Sequence, residues 1–396
     1  MKQYQIVGPF DRYNYGDLLF PLILEKALQS ESGSIVNYYG LIDSDLSQYS
    51  GKPTRSIKDF YQQTKSGDHV IIAGGESLCT SWADLYSYLS PKFNKVYKSK
   101  LVRAFDRRTM LVSKIAKHLC GGASDLPFSF SSSELNMDID ISLNCVGGAA
   151  IVSWTDTKRR FLKKKIQNHK AIGVRDRKTF SVLSEKGDLP SLKLVPDSAI
   201  LMERLLSEEM EQRKHSFSHY KSIQNDYIFF QVGCEKTDDL DEVISNLDSV
   251  LSKSSFDLVL CPIGHALGHE DLLPLKTIRN ALIGKHGARV ILIEPVIDVY
   301  EIMMLISKSS MYIGTSLHGT ITSLSFGVPY ITFNKQIKKL EEYIKTWGAP
   351  GLTTQYNAKD ISVAFDKVSG ITKQSILEHT RPQKDLVTEF ISELTS

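Results

Sequence analysis

Residues 312–329 read YIGTSLHGTITSLSFGVP, and this stretch decides the fold. An apolar run closes at Gly314, a polar turn presents Thr315, Ser316 and His318, and Gly319 and Thr320 then open a second apolar segment of helical length. A strand that is apolar nearly throughout is one whose two faces are both covered. Strand, polar turn and helix in that order is the repeating unit of a parallel sheet with crossover helices.

Working outward, the same grammar recurs. In the second half, apolar β-rich runs predict strands over 227–232, 258–262, 289–293, 311–314 and 330–333. In the first half they predict strands over 4–8, 35–41, 69–73, 139–146, 171–174 and 193–195. Leu18, Leu22, Leu24 and Leu28 form a helical stripe, which predicts a helix over 17–30. The segment 207–226, SEEMEQRKHSFSHYKSIQND, is polar and lacks a clear period, so it is read as a linker. The expected organisation is an N-terminal Rossmann-like domain over 1–206, a C-terminal one over 227–370, and a closing helix over 371–396 that packs back across both. The fold class is therefore α/β, with two parallel sheets facing a cleft, which is the outline of the GT-B architecture. In such sheets ligands sit beyond the carboxyl ends of the strands, so the strand-to-helix turns are where chemistry belongs.

Composition narrows the function. The chain has 396 residues, 42% of them hydrophobic, enough for two cores. A formal net charge of +3 is too small to mark a nucleic-acid binder, and no nucleic-acid partner is expected. Cys79, Cys120, Cys145, Cys234 and Cys261 are scattered without metal-binding spacing and read as reduced core thiols of a cytoplasmic protein. The N-terminal residues enter a strand without a signal-peptide core, and no apolar run reaches the length of a membrane span. Any membrane association is thus expected to be peripheral. Two stretches are strongly basic: 92–117 has nine Lys or Arg against Asp106 alone, and 158–170 has seven and no acid. Such runs are either solvated faces or the footprint of an anionic partner, such as a lipid diphosphate or membrane surface.

Several turns carry candidate chemistry. At Ser316, Gly319 and Thr320 a helix N-terminus favours an anion, and His318 beside it can move a proton near neutral pH. The alternative there is a capped helix with a locally bonded histidine. After the strand at 171–174, Arg175 suits bidentate binding of phosphate or carboxylate, while Asp176 caps the next helix. After the first strand, Asn14 and Asp17 can bond a ligand and Gly16 permits its close approach; Asp17 is alternatively an N-cap. Gly74, Gly75 and Glu76 end the third strand where backbone can meet a ligand. Gln231 and His265 end further strands of the second half. His265, His269 and Glu270 resemble a metal set, but Gly268 and a loop context argue against zinc. Asp197 reads as a turn or cap residue.

Together these turns resemble the polysaccharide pyruvyl transferase family. The matching pieces are Asn14-Tyr15-Gly16-Asp17, Gly74-Gly75, Val174-Arg175-Asp176, Pro196-Asp197, Thr315–Thr320 and Phe326-Gly327-Val328-Pro329, in the family's order. Glu76 stands where a third glycine is common, and 144–149 matches the glycine-rich stretch loosely. The resemblance implies transfer of a pyruvyl group from phosphoenolpyruvate to two hydroxyls of a sugar, in a polysaccharide or its lipid-linked precursor. It implies no cofactor besides the donor substrate. On that reading His318 is the general acid and Arg175 binds the donor's anionic groups. Ser316, Gly319, Thr320, Gln231 and His265 complete the donor side, and Asn14, Asp17, Gly74, Gly75 and Glu76 meet the sugar. A nucleotide-sugar glycosyltransferase on the same scaffold is the alternative enzyme. A non-enzymatic protein binding glycan or lipid through its basic face is the third reading.

Overall fold

A computed structural model describes residues 2–28, 34–185, 189–234, 239–268 and 270–395. The chain divides into two compact units. The first comprises Met1–Tyr13, Asp17–Ser198 and Leu386–Ser396; the second comprises Asn14–Gly16 and Ala199–Asp385.

The first unit is built on a seven-stranded parallel sheet of β1 (Gln3–Val7), β2 (Ile35–Gly40), β3 (Arg55–Ser56), β4 (His69–Ala73), β5 (Asp140–Val146), β6 (Ala171–Val174) and β7 (Leu192–Leu194). Their order is β3-β2-β1-β4-β5-β6-β7, so the connection reverses direction between β1 and β4. The central strands read Tyr4, Ile6, Val7 and Val70, Ile71, Ile72, all buried, as a sheet covered on both faces requires. The expected helix over 17–30 starts earlier, at Tyr15, and its last two expected residues lie outside the described residues.

The second unit holds a six-stranded parallel sheet of β8 (Tyr227–Gln231), β9 (Asp257–Leu260), β10 (Val290–Leu292), β11 (Met311–Gly314), β12 (Tyr330–Phe333) and β13 (Gln355–Tyr356). Its order is β10-β9-β8-β11-β12-β13, with the reversal between β8 and β11. The helix Leu317–Phe326 is buried over all ten residues, which explains why its sequence shows no amphipathic stripe.

The expected linker is not one. Residues 202–213 form the helix Met202–Arg213, with Met202, Leu206 and Met210 buried, and the second unit begins at Ala199. Charged residues fill the helix's outer side, and that density hid the four-residue-spaced apolar contacts. The last helix, Lys373–Thr395, is shared: its residues up to Asp385 count with the second unit, and Leu386 onward with the first. No helix among the described residues is long and apolar enough to cross a membrane.

Candidate functional site

In the second unit the reversal between β8 and β11 opens a pocket of about 100 Å3 at the carboxyl ends of the strands. Gln231 and Gly233 follow β8, Ile263, Gly264 and Asp271 follow β9, and Thr315, Ser316, Leu317 and His318 follow β11. Ile337 and Lys339, at the start of the helix Lys338–Trp347, and Asn14 complete the wall.

A hydrogen-bond lattice fixes these turns to one another. Gln231 donates through Nε2 to Asp271 Oδ2 at 2.9 Å and accepts from the Thr315 amide at 3.3 Å. The same Asp271 oxygen accepts the amides of Ile263 and Gly264, each at 3.1 Å. Thr315 Oγ1 accepts from the Gly233 amide at 3.3 Å. Burial pushes the Asp271 carboxyl up to about 7, although these three donors work in the opposite direction. A carboxyl poised there exchanges its proton near neutral pH.

The residues quoted from the N-terminal motif join this site through the backbone. Asn14 makes an antiparallel bridge to Gly264, and the Tyr15 amide donates to the Ile263 carbonyl at 3.0 Å. The Tyr15 hydroxyl shares a 2.9 Å hydrogen bond with Thr322 Oγ1 in the helix behind His318. Gly16 was expected to admit a ligand, but the His318 imidazole fills that space: a Cβ on Gly16 would stand 1.8 Å from Nδ1. Asn14 was expected on the acceptor side; it lines the pocket expected for the donor.

Three other expectations for this pocket are corrected. The Gly319 amide donates to Ser316 Oγ at 3.2 Å, closing the helix cap, so it is spent on the cap rather than on an anion. Thr320 is fully buried, with Oγ1 donating to the Ser316 carbonyl at 2.9 Å. His265 is half-buried one residue beyond Gly264 and is absent from the wall; burial lowers its imidazole's basicity. Ser316, Gln231 and His318 line the pocket. Asp271 and Lys339 were missed. Asp271 directly follows Glu270, at the end of residues 262–270, PIGHALGHE, and Lys339 sits in a run, NKQIKKLEEY, that reads as a solvated helix face. Among the described residues no group of His, Cys, Asp and Glu is placed to hold a metal ion, and His269 lies outside them.

In the first unit the turns after β4, β5, β6 and β7 meet around Arg175. Its Nη1 donates to Asp197 Oδ2 at 2.7 Å and its Nη2 to Glu76 Oε1 at 3.0 Å, and the side chain is 3% exposed. The guanidinium is thus enclosed by two carboxylates instead of being presented to a donor anion. Asp197, expected as a cap, is its fully buried counter-ion. Glu76 also accepts the Ala149 amide at 2.9 Å, so it is an anchor of this network. Gly147 is obligatory beneath it, because a Cβ there would stand 2.4 Å from Glu76 Oε1 and 2.8 Å from Arg175 Nη2.

The β1–β4 reversal of this unit carries a second polar cluster. Gly74 and Gly75 both adopt left-handed backbone, and Asp17 Oδ1 lies 3.7 Å from the place a Gly75 Cβ would take. Asp17 is in the first turn of its helix rather than at the cap, paired at 3.5 Å with Arg12 Nη2. Arg12, which sequence reasoning passed over, also pairs with Asp11 at 3.3 Å and lies over the Tyr88 ring. Its Nε is buried and makes no hydrogen bond. Burial raises the Asp11 carboxyl against the opposing pull of Arg12 and the Leu41 and Ile42 amides.

The family model described as polysaccharide pyruvyl transferase matches residues 14–334. No curated protein is a significant match. Among solved structures, the chain is similar to UDP-GlcNAc 2-epimerase of Methanocaldococcus jannaschii in complex with UDP-GlcNAc and UDP. The identity is 12%, the coverage 96% of this chain and 99% of that one, and the TM-score 0.57. It is similar to UDP-GlcNAc 2-epimerase from Neisseria meningitidis bound to UDP-GlcNAc, at 13% identity, 100% and 99% coverage and TM-score 0.56. It is also similar to Anabaena HepE in complex with UDP-glucose, at 9% identity, 100% and 98% coverage and TM-score 0.51. At these identities the likeness is one of fold, the tandem Rossmann-like pair of GT-B proteins.

Proposed function

The chain belongs to the polysaccharide pyruvyl transferase family, and from that premise we propose that it transfers the pyruvyl group of phosphoenolpyruvate to two hydroxyls of one sugar. The product is a cyclic ketal on a polysaccharide or its lipid-linked precursor, made at the cytoplasmic side. The observation that carries this reading is the pocket at the β8–β11 reversal, where His318, Lys339, Ser316 and the Asp271–Gln231 pair converge. At about 100 Å3 it suits a compact anion. Pockets that enclose drug-sized ligands span roughly 300–1,000 Å3, which makes it a poorer match for a whole nucleotide sugar.

Lys339 supplies the positive charge for the donor's phosphate or carboxylate, and Ser316 a hydroxyl. His318 protonates the methylene carbon of the enol phosphate, leaving an oxocarbenium-like centre at the carbon that bears phosphate. One sugar hydroxyl adds there and loses its proton. The carbon–oxygen bond to phosphate then breaks, inorganic phosphate leaves, and the second hydroxyl closes the ring as it loses its proton. One of the two released protons restores His318 and the other goes to phosphate or solvent. Asp271 holds Gln231 and the 263–264 backbone in place. The scheme calls on no metal or bound cofactor. Arg12 and Asp17 at the β1–β4 reversal are assigned to the sugar.

The deciding experiment incubates the protein with phosphoenolpyruvate and a panel of sugar and lipid-linked acceptors, reading the pyruvyl mass increment together with phosphate release. A stoichiometric increment supports the assignment. Sugar transfer from a nucleotide donor in the same panel would replace it with glycosyl transfer.

A further inference from the structure

Three consecutive helices of the first unit, Pro91–Tyr97, Lys100–Thr109 and Leu111–Cys120, turn apolar side chains outward. Leu101 and Phe105, then Leu111, Ile115 and Leu119, recur every four residues, so each set runs along one side of its helix. Leu101 is 83% exposed and Leu119 57%. The buried sides are different residues: Asp106 on one helix, and Ser113, Ala116 and Cys120 on the next. With Val96, the stretch holds six of the twelve exposed large hydrophobics among the described residues. Scattered singly such residues mean little; gathered in one stretch they mark a contact surface.

The charge of the stretch has one sign. Its single acid, Asp106, is turned inward, accepting the Ser113 amide at 3.0 Å and the Ser113 hydroxyl at 2.7 Å. The outer charges of the stretch itself are then lysine and arginine, of which Lys117 pairs with Asp125 at 3.6 Å. A nucleic acid would satisfy that charge but leave Leu101, Phe105 and Leu119 in water. A protein groove without acidic residues would satisfy the apolar side chains but leave the excess of lysine and arginine unmet. An anionic bilayer satisfies both, and since no described helix is long and apolar enough to cross it, these helices lie along its surface.

We propose that the helices Lys100–Thr109 and Leu111–Cys120 dock on an anionic lipid bilayer, with Leu101, Phe105, Leu111, Ile115 and Leu119 entering the acyl boundary between basic residues that hold the headgroups. The cavity of about 660 Å3 beside them, walled by Trp82, Met110, Phe161, Lys114, Lys117 and Asp125, opens among these cations and apolar groups, with one carboxylate at its wall. It is a place for one lipid headgroup to seat.

The second basic run borders this surface through Phe161, but its charges are engaged elsewhere. Lys158 stands 3.8 Å from the Trp154 ring centre, and Lys165 is buried against Glu134. Arg159 donates to the carbonyls of Ile151 and Val152, and Lys163 to that of Glu185. Those charges hold their own unit together.

The inference is independent of the pyruvyl-transfer reading. Its test is flotation of the full chain with vesicles of phosphatidylcholine, with and without phosphatidylglycerol, at low and high salt. The expected result is at least a tenfold preference for the anionic vesicles, weakened by salt. Leu101→Ser, Phe105→Ser and Ile115→Ser together should reduce binding about tenfold with no change of charge. Because all three side chains are exposed, their thermal melts should match the parent. Phe105→Trp should lose fluorescence to brominated acyl chains. Lys158→Gln with Lys163→Gln should float as the parent does. No binding to anionic vesicles overturns the proposal, and so does binding that ignores the serine variants. Sedimentation showing a dimer that the serine variants dissociate would give the face to a second copy of the chain instead.

Discussion

The His318 imidazole and Gly16 occupy the same space, since a Cβ on Gly16 would stand 1.8 Å from Nδ1. Two motifs three hundred residues apart in sequence are thereby one element of the second unit. The glycine fixes where the imidazole can lie, which makes Gly16 a positioning residue for His318.

Gly16→Ala should therefore displace the ring and lower kcat by roughly 10²-fold, as much as removing a general acid. In a His318→Ala background the same change should cost no further activity. It should then raise the melting temperature, because alanine is better than glycine in a helix by about 1 kcal/mol once the ring no longer contests the space. Activity and melting curves of the two single variants and the double variant check this. Additive losses of activity would mean that Gly16 acts by another route.

Arg175 makes a different kind of prediction. Its removal leaves Asp197 buried with its counter-ion gone, and a broken buried pair costs about 3–5 kcal/mol. Arg175→Ala should appear as a large drop in the urea midpoint, with the Michaelis constant for phosphoenolpyruvate nearly unchanged in whatever folds. Gly147→Ala, which drives a Cβ into the same pair, should destabilise by about 1–3 kcal/mol. A raised donor constant at full stability would return Arg175 to the donor site.

The nine expected strands inside the two sheets were legible because nearly all of them are buried on both faces. The two-residue edge strands Arg55–Ser56 and Gln355–Tyr356 were not, since two residues carry no period. Of the site, Ser316, His318 and Gln231 were legible because each stands at the carboxyl end of a readable strand. Arg175 stands at such an end too, yet its partners come from turns 99 and 22 residues away, and only the fold reveals that its charge is satisfied. Lys339 failed the other way. Its neighbours in sequence are solvated lysines, and the fold alone sets it apart from them.

That placement gives Lys339 a kinetic signature. As the one Lys or Arg on the pocket wall among the described residues, it should contribute to donor binding in both the ground state and the transition state. Lys339→Met should raise the Michaelis constant for phosphoenolpyruvate by about tenfold with kcat little changed, whereas Lys338→Met, one residue away, should do neither. Steady-state kinetics over a donor series decides between them.

Asp271 predicts how stability follows pH. Its carboxyl titrates near 7 in the folded protein, against an ordinary value of 3.8. The raised group favours folding fully below pH about 4, where the carboxyl is protonated in both states. As pH rises toward 7 the unfolded chain releases this proton while the folded one retains it, so that contribution is lost, and above 7 no more is lost. Asp271→Asn keeps an acceptor for the Gln231, Ile263 and Gly264 donors but has no proton to release. Wild-type stability should therefore fall relative to the variant by on the order of 1–4 kcal/mol between pH 4 and 7. Parallel urea titrations at pH 4, 5.5, 7 and 8.5 measure the difference. A gap between the two proteins that stays flat over this window would show that Asp271 is already ionised at pH 4, and its role as a proton-exchanging wall of the pocket would fall with it.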